Sequence, residues 1–239
     1  MSISSSLATP EAVHPALWLA SQLARSQAHC VDTGYPVLSA QLPGGGWPTG
    51  CLLDLLLQQH GIGEMRLLRP ALRAVAGRRV VLLQPPHAPQ ALGLAALGLG
   101  PEQLAWVRPA RSGDALWAAE QILRSGSCGA LLFWQTTVRA DALRRLHLAA
   151  QSGETLFFLL RPLAHAPDAS PAPLRLGLHP AAGGLTIDFI KRRGPRREAP
   201  LFLPLELPAL QRRLPHHAPL DRPLPVAAPA RRLQPALVG

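Results

Sequence analysis

The chain predicts an α/β protein in which a mostly parallel central sheet is covered by helices on both faces, and three observations carry that expectation. Between residues 51 and 160, short apolar or β-branched runs alternate with stretches of helical spacing, the pattern of successive βαβ units. The strand-length runs are apolar throughout rather than alternating, as strands buried on both faces must be. Hydrophobic residues make up 48% of the 239 positions, ample for one core, since single cores extend to roughly 250 residues.

Taken in order, residues 11–29 read as an amphipathic helix, with Pro15 near its first turn and Leu17, Trp18, Leu23 and Ala24 available to one face. A loop comes next, at 31–34. Leu38 and Leu42 then lead into the turn Pro43, Gly44, Gly45, Gly46, Trp47, Pro48, Thr49, Gly50, whose prolines and glycines exclude helix and central strand. Residues 51–57 form an apolar run of strand length interrupted only by Asp54. Gly61 and Gly63 punctuate the next segment, and helical spacing resumes over 64–76. Further strands are expected at 79–84, 104–107, 130–134 and 155–160, and helices at 88–97, 112–124 and 139–151. Ser112 is the expected N-cap of the second of these helices, and Gly126 stands past its end. Residues 174–179 and 185–190, joined by Ala182, Gly183 and Gly184, have the pattern of a closing β-hairpin. From residue 195 the periodicity stops. Nine prolines fall between 200 and 235, and this segment reads as an extended, mostly disordered tail. The expected organisation is an N-terminal helical arm over 1–30, an α/β domain over 31–198 and a basic, proline-rich tail over 199–239.

Composition narrows the function classes. No apolar run approaches the roughly 20 residues that span a bilayer, and the first ten residues lack the basic and apolar regions of a secretory signal, so a cytoplasmic protein with no membrane partner is expected. Cys30, Cys51 and Cys128 stand far apart and read as buried free thiols of a reducing compartment. The histidines are scattered, with no carboxylate or thiolate at ligand spacing, so neither a metal nor any other cofactor is expected. Ser127 sits in a sequence resembling a nucleophile elbow, but Arg124 replaces its first glycine and the segment joins helix to strand, the reverse of the elbow's order, so a helix C-cap turn is the reading. The net charge of +10 is uneven: 14 basic against 11 acidic residues lie before position 191, and 10 against 3 from there on. Such an excess in the last fifth of the chain points to an anionic partner.

The segment Val31, Asp32, Thr33, Gly34, then Leu38, Leu42, Gly44, Gly45, Gly46, Trp47, Pro48 and Gly50 resembles the stretch that precedes the phosphate-binding loop in RecA-family ATPases. The strand over 51–57 leads to Gly61, Ile62, Gly63 and Glu64, where that family has the loop itself. Together with Leu116, Trp117, Ala118, Ala119, Glu120 and Gln121, with Arg144, Arg145 and Leu146, and with Lys191, Arg192, Arg193 and Gly194, these features resemble the ImuA family, RecA/SulA-like proteins associated with translesion DNA synthesis. The resemblance covers roughly residues 30–205 and implies a RecA-like three-layer sandwich.

The departures from a working loop decide what activity to expect. A phosphate loop of this type reads GxxxxGK[ST]: backbone N–H groups cradle the phosphates, the lysine neutralises them and the hydroxyl holds Mg²⁺. Aligned on Gly63, with Gly61 in between, this chain has Gln58 for the first glycine, Glu64 for the lysine and Met65 for the hydroxyl residue. A carboxylate in place of that cation repels a triphosphate by on the order of several kcal/mol in a partly buried site. The strand over 130–134 ends in Trp134 and Gln135 rather than a metal-associated aspartate, and Gln84 stands where the catalytic glutamate is expected. A non-enzyme is therefore the expectation. The resemblance implies a non-catalytic accessory role in damage-induced (SOS) mutagenesis. Its implied partners are RecA, an ImuB-type inactive Y-family polymerase homologue and an error-prone replicative-type DNA polymerase complex. A SulA-type inhibitor of the tubulin-like division protein is the alternative. Lys191, Arg192, Arg193, Arg196 and Arg197 are the candidate binding residues for a partner or for DNA. Five cations in seven positions repel one another unless an anionic partner compensates them, and no interleaved aromatic supports base stacking.

Overall fold

The computed structural model describes residues 29–88, 93, 97–194 and 199–205. The helix expected over 11–29, most of that expected over 88–97, Arg196 and Arg197, and everything past 205 lie outside the described residues. The chain divides into a unit closing at Glu206 and a second beginning at Leu207; all described residues belong to the first.

A two-stranded ribbon of β1 (Cys30–Val31) and β2 (Trp47–Pro48) frames the short helix α1 (Pro36–Ser39) and the glycine-rich turn. The main elements come after it: β3 (Cys51–Leu57), α2 (Glu64–Ala74), β4 (Arg79–Leu83), β5 (Leu104–Val107), α3 (Ser112–Ser125), β6 (Cys128–Trp134), α4 (Ala140–Ala150), β7 (Leu156–Pro162), β8 (Leu174–Ala181), β9 (Gly184–Lys191) and β10 (Leu201–Pro204). Eight of the strands form one sheet in the order β10-β9-β8-β3-β7-β6-β4-β5. Every pairing from β8 to β5 is parallel, and the two at the β10 edge are antiparallel.

The period of two along the strands sorts the core into two faces. Leu53, Leu55 and Leu57 of β3 join Leu67, Leu68, Ala71 and Leu72 of α2 and the buried Trp47, whose ring meets Phe158 edge-on at 5.4 Å between centroids. Leu52 points the other way, with Phe157 and Leu159 of β7, onto Ala115, Ala119 and Leu123 of α3 and Leu143 and Leu146 of α4. Helices thus cover both faces of a mostly parallel sheet, as expected of a RecA-like sandwich. Close approach explains one glycine of the turn: a Cβ at Gly46 would sit 2.4 Å from the Val31 carbonyl oxygen.

Three expectations need correction. The chain resumes strand structure after residue 200, where a patternless tail was expected: Leu201 and Leu203 point into the core while Phe202 and Pro204 face out. Proline did not prevent this because β10 is an edge strand and Pro204 is its last residue. Ser112 is the first residue of α3 and Arg111 holds the N-cap position. Of the three free cysteines only Cys128 is buried; Cys30 and Cys51 are half-buried.

The central strands carry a buried ion cluster. Asp54 of β3 is fully buried and accepts two hydrogen bonds from the fork of Arg161 on β7, Nε to Oδ1 at 3.0 Å and Nη2 to Oδ2 at 2.6 Å. Arg175 of β8 donates to Oδ2 from the other side at 3.0 Å, and its remaining nitrogens donate to the carbonyls of His165, Ala166 and Asp168. Nη1 of Arg161 is buried without a partner. Removing one member of such a cluster strands buried charge, which costs about 3–5 kcal/mol. Asp54→Asn is therefore expected to lower unfolding stability by about that amount in urea titrations. Arg161→Met is expected to cost less, since it removes the unpaired N–H with the charge and leaves Asp54 bonded to Arg175.

Candidate functional site

The carboxyl edge of the parallel strands is where α/β proteins bind ligands, and the degenerate loop lies there, between β3 and α2. Gly61 and Gly63 have φ of 81° and 125°, values that L side chains rarely adopt, so the loop keeps the backbone freedom of a phosphate cradle. Glu64 fills that cradle. The Gly61 N–H donates to Glu64 Oε1 at 2.8 Å and the Gly63 N–H to Oε2 at 3.1 Å. The carboxylate is buried and sits at the first turn of α2, where the positive end of the helix dipole favours an anion. The chain supplies its own anion to the site, occupying the donors that phosphate oxygens use in a working loop. The repulsion expected from Glu64 is thus compounded by occupancy. Met65 is partly buried against the core, and Gln58 is turned sideways, its Oε1 3.2 Å from Nδ1 of His179.

The other positions along this edge are equally committed to structure. Gln84 is the one non-glycine residue with positive φ (51°) among the described residues, and its amide donates to the Pro109 carbonyl at 3.5 Å. Trp134 is buried and Gln135 continues the backbone ladder to Leu160. Among the described residues no group of histidines, cysteines or carboxylates could hold a metal ion.

The basic segment lies at the far end of β9. Lys191 Nζ donates to the Ser170 carbonyl at 2.9 Å. Arg192 is half-buried: its guanidinium donates to the Gln41 carbonyl and stands 5.5 Å from the centre of the Phe189 ring. Arg193 is exposed and makes no hydrogen bond or ion pair among the described residues. It lines an open cleft of about 190 Å³ together with Gly44, Thr49, Cys51, His147 and Gln151. Three stretches singled out in the sequence therefore meet at one place: the glycine-rich turn, the helix carrying Arg144 and Arg145, and the basic run. Sequence reasoning missed His147 and Gln151, which no motif marks. Burial pushes the Cys51 thiol up to about 12 despite the opposing pull of Arg193, so it is no nucleophile at neutral pH.

No family model matches the chain. Over 98 residues it is 34% identical to the cell division inhibitor SulA of Edwardsiella piscicida, a match that spans 40% of this chain and 58% of that protein. Part of the chain is thus similar to a SulA protein. No helix among the described residues is long and apolar enough to cross a membrane.

If Glu64 fills the loop, emptying it has a defined consequence. Glu64→Ala leaves the buried Gly63 N–H without an acceptor and is expected to cost about 1–3 kcal/mol. Millimolar sulfate is expected to raise the melting temperature of that variant more than that of the wild type, because only in the variant are the loop's N–H groups open to an anion. Equal stabilisation of both proteins contradicts the assignment.

Proposed function

We propose that this chain is a non-hydrolysing, RecA-like binding module of the bacterial SOS response that acts through its surfaces. The observation that carries the reading is the Glu64 carboxylate seated on the N–H groups of Gly61 and Gly63, which takes two of the donors a nucleotide's phosphates would use in the loop. A domain that keeps this fold while filling its catalytic edge with its own side chains is free to serve as a docking platform. In the finer form of the proposal it docks on the RecA filament and on an inactive Y-family polymerase homologue, and so assists an error-prone polymerase at lesions. Arg193, without a counter-ion among the described residues, and the positive excess after residue 190 support an anionic docking surface.

The similarity to a cell division inhibitor favours a second reading, in which the chain blocks the tubulin-like division protein. The two readings share the fold and differ in partner. The test is a titration of the full chain against RecA filaments on single-stranded DNA and, separately, against the purified division protein. The first reading expects binding to the filament, weakened about tenfold or more at low salt by joint charge reversal of Arg193, Arg196 and Arg197. It also expects a loss of affinity with salt of roughly one power of concentration per phosphate contacted. Arg192 is left out of the variant because its fold contact to Gln41 would confound the result. Binding to the division protein with none to the filament overturns the first reading in favour of the second.

A further inference from the structure

We infer that the cleft at the amino end of β3 is a receptor for a carboxylate side chain of an acidic peptide, held between the Arg193 guanidinium and the ring of His147. The inference shares Arg193 with the docking surface proposed above, but it does not depend on which partner that surface takes and its test needs no filament.

Size is the first argument. A cleft of about 190 Å³ is below the roughly 300–1,000 Å³ that accommodates whole small-molecule ligands, and it suits one inserted side chain. The donors are the second. The Leu52 N–H donates to Nδ1 of His147 at 3.3 Å, so that nitrogen is the acceptor and the neutral ring carries its proton on Nε2; the Gln151 amide, 3.4 Å from Nε2, pairs with that proton only when its oxygen faces the ring. Arg193 supplies a planar fork without a counter-ion among the described residues, the geometry that pairs with a carboxylate through two parallel hydrogen bonds.

The sign of the local field is the third. The cleft also borders the last turn of α4, whose carbonyls present a partial negative charge of roughly half a unit. Three of those carbonyls, of Leu148, Ala149 and Ala150, already accept from the N–H groups of Gln151, Ser152 and Gly153. Against them stand the full charges of Arg193 and Lys191. Two full charges exceed that half unit, so the balance of charge favours an anion. The same two cations, after burial, hold the His147 pKa below its ordinary value.

A bound carboxylate cancels that field, so it must raise the His147 pKa. The experiment is an NMR titration of the full chain with an acetylated, amidated tetraglutamate peptide, with the tetraglutamine peptide and short oligothymidine as parallel arms. The His147 ring signals are identified by their loss in His147→Asn. Tetraglutamate is expected to bind and to move the His147 titration to higher pH, while tetraglutamine does neither. Arg193→Gln is expected to weaken binding at least about tenfold. Arg144→Gln, an exposed change of the same charge outside the cleft, is expected to stay within about twofold. Three outcomes overturn the inference: an unmoved His147 titration at saturating peptide, equal losses from Arg193→Gln and Arg144→Gln, or oligothymidine displacing the peptide and shifting His147 at lower concentration.

Discussion

The arrangement of the sheet depends on one carboxylate. Asp54 lies in the middle of β3 with a strand on either side, and each neighbour presents it with an arginine, Arg161 from β7 and Arg175 from β8. Charges this deep are tolerated only when paired, so the pairing fixes which strands lie beside β3. Arg175 also ties down the turn after β7 by donating to three of its carbonyls. The cluster carries one more cation than anion, and Arg161 Nη1 goes unpaired. It specifies an arrangement rather than adding stability, since well-packed apolar side chains often match or exceed such a cluster energetically.

With β3 fixed, the two ends of the sheet take different courses. At the carboxyl edge, every position where phosphoryl-transfer chemistry is expected has been given to structure: Glu64 to the loop's N–H groups, Gln84 to the Pro109 carbonyl, Trp134 to the core. At the amino end the turn over 43–50, the end of α4 and the residues after β9 leave an open cleft bordered by Arg193. The loop's carboxylate thus sits at one end of the sheet and the Arg193 cleft at the other.

Much of this was legible in the sequence, for identifiable reasons. Fully apolar strand runs with helical segments between them implied a covered parallel sheet, and the hairpin around Gly183 could be read from its turn residues. Glu64 and Met65 in place of the lysine and hydroxyl marked the loop as a departure from the phosphate-binding pattern. The sequence does not reveal that the carboxylate turns back onto Gly61 and Gly63, because a hydrogen bond within four residues depends on loop dihedrals and not on residue types. Asp54 stood out as the one charge in an apolar run, yet its partners come from 107 and 121 positions away, a pairing no local pattern encodes. Leu201 to Pro204 was missed because four residues flanked by prolines are too few to show a period. His147 is unremarkable in sequence and acquires meaning only from the residues the fold gathers beside it.

The central claim is that the loop between β3 and α2 is closed to nucleotides by the protein's own carboxylate. Calorimetric titration of the full wild-type chain with ATP and Mg²⁺ tests it most directly. No saturable heat is expected up to millimolar nucleotide, which bounds binding at weaker than about −4 kcal/mol. Saturable binding at micromolar nucleotide would contradict the account, since the phosphates would then have displaced Glu64 from Gly61 and Gly63.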